Sequence, residues 1–283
     1  ARCNDEVRAD VLTRAALGCI ARNAGRPFFL YSASHGPRVP RVPHPRVVGT
    51  TDMGPRGDAI AQFDWCVGEV LGTIDRLGLA DKTLVIFSSD NGPVVDDGYK
   101  DQAVEKLGDH RPAGPLRGGK YSAFEGGTRV PMIVRWPGRI KPGSSDALVC
   151  QMDLLTSLAT LTGQVLARAD GPDSFDVLPA LLGQSKVGRD HLVEQGGGIA
   201  LRVGSWKYLE PGPGVKVQTT TNTETGRDRV AQLYDLDSAL GEQINLAEKN
   251  PEKFAAMRDR LKSSAEAGRT RPAQGTVSLC WSG

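Results

Sequence analysis

The chain has 283 residues, enough for one large domain or two smaller ones, and its 39% apolar and 24% charged content is that of an ordinary globular protein. A formal net charge of +2 singles out neither nucleic acid nor an anionic membrane surface as the main partner, and no apolar run approaches the roughly 20 residues that cross a bilayer. The five cysteines are scattered, odd in number and without CxxC spacing, so neither a zinc site nor a disulfide framework is indicated. The chain opens at Ala1, without an initiator Met or a signal peptide, and reads as processed or truncated.

Val7, Val11, Ala15 and Cys19 recur every fourth residue and predict a helix over residues 5–23, with Gly25 as its C-cap. Residues 27–33, Pro-Phe-Phe-Leu-Tyr-Ser-Ala, read as a short buried strand. The following loop, 34–45, holds four prolines, which exclude regular structure, and carries His35, Arg38, Arg41 and His44. A rigid loop of these residues after a strand suits an anion, and solvated arginines on a surface loop suit the pattern equally. Ile60, Phe63, Val67, Leu71, Ile74 and Leu77 predict a helix over 57–78, closed by Gly78.

Residues 81–89 read as a strand whose apolar run, Leu84-Val-Ile-Phe87, is buried on both faces in the manner of a parallel sheet. It ends in Asp90 and Asn91, two hard-oxygen side chains, followed by Gly92 and Pro93. Open α/β sheets place ligands just beyond such strand ends. The residues alone also fit a plain Asx turn. The helix–strand alternation argues for a parallel sheet with covering helices. A polar insert over 94–115, with Asp96, Asp97, Asp109 and His110, precedes Leu116-Arg-Gly-Gly-Lys-Tyr-Ser-Ala-Phe-Glu-Gly-Gly-Thr-Arg-Val-Pro131, where two glycine pairs flank Lys120 and Glu125. Glycine lets backbone approach a ligand closely, but the P-loop spacing is absent.

Residues 131–136 read as another strand, and 153–161 as a short helix capped by Asp153. Residues 163–190 are rich in loops and hold a boundary. Beyond them, His191-Leu-Val-Glu, Ile199-Ala-Leu-Arg-Val, Trp206-Lys-Tyr-Leu and Gln232-Leu-Tyr-Asp-Leu predict a small antiparallel sheet. Residues 219–225 read as a mobile polar loop, Asn250-Pro-Glu-Lys opens a helix, and residues 268–283 have no period.

Taken together, Asp90-Asn91-Gly92-Pro93, Gly118-Gly119-Lys120, Glu125-Gly-Gly-Thr-Arg-Val-Pro131 and Trp136-Pro-Gly138 resemble the arylsulfatase-like type I sulfatases of the alkaline-phosphatase superfamily. The likeness runs from about residue 10 to about residue 265 and includes Leu201-Arg-Val-Gly-Ser-Trp-Lys-Tyr208, Leu233-Tyr-Asp-Leu236 and Asn245-Leu-Ala247. It implies an α/β fold, with a mainly parallel sheet flanked by helices and a small C-terminal antiparallel sheet with a helix. Residues 1–185 would be the C-terminal part of the catalytic domain, 186–268 the antiparallel subdomain and 269–283 a disordered tail.

The resemblance implies hydrolysis of sulfate esters, aryl or glycan, with a calcium ion held partly by Asp90 and Asn91 and with Lys120 on the sulfate. His110 is a further substrate-binding candidate. Two departures from the family pattern stand out. The cysteine of Cys-x-Pro-Ser-Arg, which becomes the formylglycine nucleophile, has no counterpart among the five cysteines, so the chain reads as lacking the N-terminal part of the domain. The His-x-Pro triplet after the first strand is Arg38-Val39-Pro40 here. Arginine cannot act as a general acid or base, but it can clamp a sulfate, and His35 lies three residues away. The partners implied are a sulfated small molecule or glycan and the rest of the same domain, and the compartments the family favours are periplasmic or secreted. The alternatives are an inactive relative that binds an anion or a partner, and a phosphodiesterase of the superfamily. Four histidines are few for the metal-rich phosphatases.

Overall fold

The computed structural model describes residues 4–167 and 169–271, so from residue 272 onward the expected tail lies outside the described residues. Helix α1 spans Asp5–Arg22 and is capped by Asn4, whose side chain accepts from Glu6 N at 3.1 Å. Its C-cap is Asn23 rather than Gly25, because the Asn23 amide donates to the Cys19 carbonyl at 2.7 Å and closes the last turn one residue early. Helix α2, Gly54–Arg76, starts three residues before the predicted boundary. There Pro55 has no N–H to leave unpaired, and the Asp58 carboxylate accepts from Gly49 N at 2.8 Å and Thr51 N at 3.1 Å.

Strand β1, Val85–Ser88, lies on α2 through Phe63 and Phe87, whose ring centroids are 5.8 Å apart. Two corrections to the sequence reading arise here. Strand β2, Met132–Arg135, pairs antiparallel with β1, Val85 facing Arg135 and Ser88 facing Met132. Parallel pairing needs a crossover that carries the chain back over the sheet, normally a long helix. The only helix between β1 and β2 among the described residues is the four-residue α3, Glu125–Thr128, so the chain simply returns along the adjacent edge. β1 is accordingly half-buried along its length instead of fully enclosed. Residues 27–33 pair with no strand among the described residues, and Phe29 and Tyr31 are 79% and 82% exposed.

Helices α4, Leu154–Leu161, and α5, Leu178–Leu181, pack against β2, with Val177, Ala180 and Leu181 meeting Val134. Asp153 precedes α4 but does not cap it. Its carboxylate bonds Cys150 N, Phe175 N and, fully buried, the Arg189 guanidinium at 2.9 Å.

Strands β3 (His191–Gln195), β4 (Ile199–Val203) and β5 (Trp206–Leu209) run antiparallel in sequence order. The hairpin strands β6, Val217–Gln218, and β7, Thr223–Glu224, follow, and β8, Gln232–Asp235, completes the four-stranded sheet beside β5. Residues 219–225, expected as a loose loop, are held in this β6–β7 hairpin by the Thr225 hydroxyl and by an Arg117–Glu224 pair at 2.6 Å.

Alternation gives the four-stranded sheet two faces. Leu201, Tyr208 and Leu233 pack on Met257 and Leu261 of helix α6, Pro251–Ala267. Ala200, Leu209 and Tyr234, on the opposite face, pack on Ala123 and Phe124 of the glycine-rich segment. The chain is thus an α/β structure whose C-terminal antiparallel sheet is covered on one face by a helix and on the other by the segment that carries Lys120.

Candidate functional site

The end of β1 is woven into the glycine-rich segment by backbone alone. Gly92 N donates to Gly127 O at 2.9 Å, and Lys120 N donates to Pro93 O at 2.8 Å. A Cβ on Gly92 would lie 1.7 Å from Gly126 O, and one on Gly119 would lie 2.6 Å from Pro93 O. The glycine pairs are therefore required by the close approach of three backbone segments, and they bring Asp90-Asn91 and Lys120 to one place.

Asp90 is exposed, and one of its carboxylate oxygens accepts from Asn91 N at 3.0 Å. The Asn91 amide donates to Gly92 O at 2.9 Å, which leaves its side-chain oxygen as a lone-pair donor. The turn is held from outside by Gln151, which donates to Ser88 Oγ at 2.9 Å and to the Ser89 carbonyl. Lys120 reaches over the Tyr121 ring, 5.0 Å from its centroid, and pairs with Asp97 at 3.4 Å. The Tyr121 hydroxyl donates to the same carboxylate at 3.3 Å. Tyr121 sits at φ +75°, a left-handed conformation that costs a non-glycine residue energy and that concentrates at functional sites. Asp97 stood in the sequence only as one acid in a polar insert.

His35 and Arg38 come together in a shallow cleft between the 34–45 loop, α1 and α2, lined also by Arg8, Gln62 and Cys66. His35 Nε2 is buried without a partner. Burial first, then the Arg8 charge, pushes its imidazole below the usual histidine value, so it is neutral at neutral pH. Among the described residues neither side chain hydrogen-bonds or pairs with Lys120, Asp90 or Asn91. The link is indirect. Arg41 pairs with Asp101 at 2.8 Å and donates to Val95 O at 3.1 Å, so the 94–101 stretch runs between Arg41 on one side and Lys120 on the other. His110 is exposed on the same insert, apart from both groups. Burial pushes the Cys66 and Cys150 thiols up, so neither is a ready thiolate.

A buried cluster of charges, to which sequence patterns assign no role, lies behind this site. Glu125, the first residue of α3, is fully buried and binds Lys207 at 2.8 Å and Arg202 at 3.1 Å. Lys207, also fully buried, pairs with Glu194 at 2.8 Å. Glu242 accepts from Glu125 N at 2.7 Å, and its other oxygen has no partner. Burial opposes the Lys207 charge, but Glu194, Glu125 and Glu242 outweigh it and its value rises. Burial likewise opposes charge on Glu125, yet Lys207, Arg202 and Arg129, the last 3.6 Å away, lower its value. No pattern in the sequence marked the cluster, since Lys207 sits at what reads as the solvent side of a strand.

Burial pushes the Glu242 carboxyl up to about 7 against an ordinary 4.5, with Lys207 pulling the other way and Glu125 and Glu194 adding repulsion. The folded protein thus keeps a proton that the unfolded chain has lost above pH 4.5. Stability contributed by this group therefore falls as pH rises through that window, by about 3 kcal/mol. Glu242→Gln is expected to flatten the fall between pH 5 and 8 in urea titrations, whereas an unchanged slope would assign it to other groups.

Asp90 and Asn91 offer oxygen donors of the kind calcium takes, but two donors are few against the six to eight it coordinates. Among the described residues no three His, Cys, Asp or Glu side chains gather as a metal site. The pair fits calcium in chemistry and would supply part of a shell.

The end of β1 thus sets a carboxylate and an amide oxygen beside the backbone of the Lys120 loop, where open α/β sheets place ligands. The family model for Sulfatase matches residues 2–164. An N-acetylgalactosamine-6-O-sulfatase of Bacteroides thetaiotaomicron is 46% identical over 92% of this chain and 51% of its own length. Human arylsulfatase A is 34% identical over 80% of this chain and 45% of its own length. A solved structure from work on glycosaminoglycan metabolism by Bacteroides thetaiotaomicron superimposes with a TM-score of 0.92 at 45% identity, covering 94% of this chain and 56% of that one. The chain belongs to the sulfatase family and has its alkaline-phosphatase-like α/β fold. It spans about half the length of the curated relatives it matches.

Proposed function

We propose that the protein is a sulfuric ester hydrolase acting on a sulfated glycan, with 6-O-sulfated N-acetylgalactosamine as the substrate to test first. The observation that carries this reading is the backbone weave that sets Lys120 against the Asp90-Asn91 turn through Lys120 N→Pro93 O and Gly92 N→Gly127 O. The 46% identity to a relative named for that substrate supports the choice of sugar.

In this reading Lys120 leaves Asp97 to meet the sulfate and stabilises negative charge as the S–O bond breaks. Asp90 and Asn91 supply part of the shell of a calcium ion, which polarises sulfate oxygens when bound. Arg38 and the neutral His35 are candidates for clamping the anion and carrying a proton, with the 94–101 stretch, held by Arg41 and Lys120, as the link to Lys120. The formylglycine nucleophile of the family is expected from outside these 283 residues.

The test is sulfate release from 6-O-sulfated N-acetylgalactosamine with calcium present, by this chain joined to the formylglycine-bearing part of the domain, against the 6-phosphate sugar as control. Sulfate release with the phosphate untouched is expected. Binding of the sulfated sugar without turnover would replace hydrolysis by anion binding, and turnover of the phosphate alone would move the protein to the phosphatases of the superfamily.

A further inference from the structure

We propose that Glu125 and Lys207 form a positioning pair through which the C-terminal antiparallel sheet fixes the Asp90-Asn91 turn and the Lys120 loop. Glu125 opens α3, and the two residues that follow it, Gly126 and Gly127, are the ones on which Gly92 rests. Gly126 O faces Gly92 so closely that a methyl group cannot enter, and Gly127 O accepts the Gly92 amide at 2.9 Å. Gly126 N in turn donates to Arg117 O at 2.8 Å, just before the Lys120 loop.

Four groups of the C-terminal part hold α3 on its other side. Lys207 of β5 and Arg202 of β4 bind the two Glu125 oxygens, and Glu242 accepts the Glu125 amide. Glu194 of β3 takes both Lys207 and the Thr128 hydroxyl, each at 2.8 Å. A four-residue helix has too few internal bonds to hold a fixed place by itself. The buried ions do that here, because any displacement of α3 separates charges that have no water to turn to. Rotation of α3 would move Gly127 O and carry Gly92, and with it Asp90 and Asn91. A shift of about 1 Å at such groups is enough to slow a reaction by two orders of magnitude.

The pair acts through other residues and does not touch the substrate. The experiment has an arm that does not use activity. In Glu125→Gln, which keeps the shape, amide exchange at residues 90–92 and 118–120 is expected to quicken at least tenfold while α1 and α2 stay protected. In Lys207→Met the same amides are expected to open further. Should Lys207→Met fail to fold, Glu125→Gln decides alone. Loosening confined to 199–209, with 90–92 as protected as in the wild type, would overturn the proposal.

The kinetic arm rests on the sulfatase reading. With that activity present, Glu125→Gln is expected to lower kcat about tenfold with KM for the sulfate ester within twofold. A changed KM at constant kcat would assign the cluster to substrate binding instead and overturn the positioning role. If the wild-type protein releases no sulfate, the functional reading has failed, and the exchange arm still decides the positioning role.

Discussion

Gly92→Ala is expected to lower folding stability by about 3–5 kcal/mol, a large share of what a domain possesses. The cause is space. Gly92 is not held at positive φ, so an alanine could take its backbone angles. Its methyl group, however, would sit 1.7 Å from Gly126 O and 2.8 Å from the Gly126 carbonyl carbon, well inside contact distance of both. The obstacle is backbone, which cannot rotate aside as a side chain can. Gly126 is itself pressed between Gly92 and the carbonyls of Arg117 and Gly118, so the strain passes into the Lys120 loop. Urea titration of Gly92→Ala beside Gly25→Ala checks the argument. A Cβ on Gly25 meets nothing within 4 Å, and that variant is expected to stay within about 0.5 kcal/mol of the wild type. Equal, small losses in both would show that the turn can yield and that the weave is looser than its distances state.

The glycines also mark where sequence reasoning succeeded. The pairs Gly118-Gly119 and Gly126-Gly127 stood out because no side chain was needed there, and the structure puts backbone in that space. The helices and the four C-terminal strands were legible too, since 3.6- and 2-residue periods are local properties of the chain. Pairing is not local. The run from Leu84 to Phe87 has the apolar density of an enclosed parallel strand, yet β1 pairs antiparallel with β2, because the intervening segment carries no long crossover helix. Residues 27–33 have strand composition and find no partner among the described residues. Lys207 shows the other limit. In a two-residue period it reads as the solvent side of a strand that buries Trp206 and Tyr208. It is buried because Phe124 and Glu125, more than 80 residues earlier, cover that side, and no pattern within the strand reports such a neighbour. Asp97 was invisible for the same reason, being one acid among several until the fold brought it to Lys120.

Lys120→Ala is expected to cut sulfate release by about 10²–10³-fold while leaving the fold almost unchanged, and the two halves of that statement come from different contacts. The backbone of Lys120 does the structural work, donating to Pro93 O, and alanine keeps that bond. The side chain pairs with Asp97 at 3.4 Å, a long contact for an ion pair, and without it Asp97 still accepts from the Tyr121 hydroxyl. Removing it therefore leaves stability close to the wild type. In the reaction the same ammonium meets charge that grows on the sulfate oxygens, in a site where Tyr121 and the glycine pairs exclude part of the water, and there its field is worth several kcal/mol. Lys120→Arg is expected to recover only part of the loss. A planar guanidinium on a longer stem cannot place one compact charge where the ammonium stood, above the Tyr121 ring. Initial rates and melting temperatures of the two variants separate the possibilities. Falling rates at constant melting temperature place Lys120 on the sulfate, parallel falls in both make it a structural residue, and unchanged rates remove it from the site.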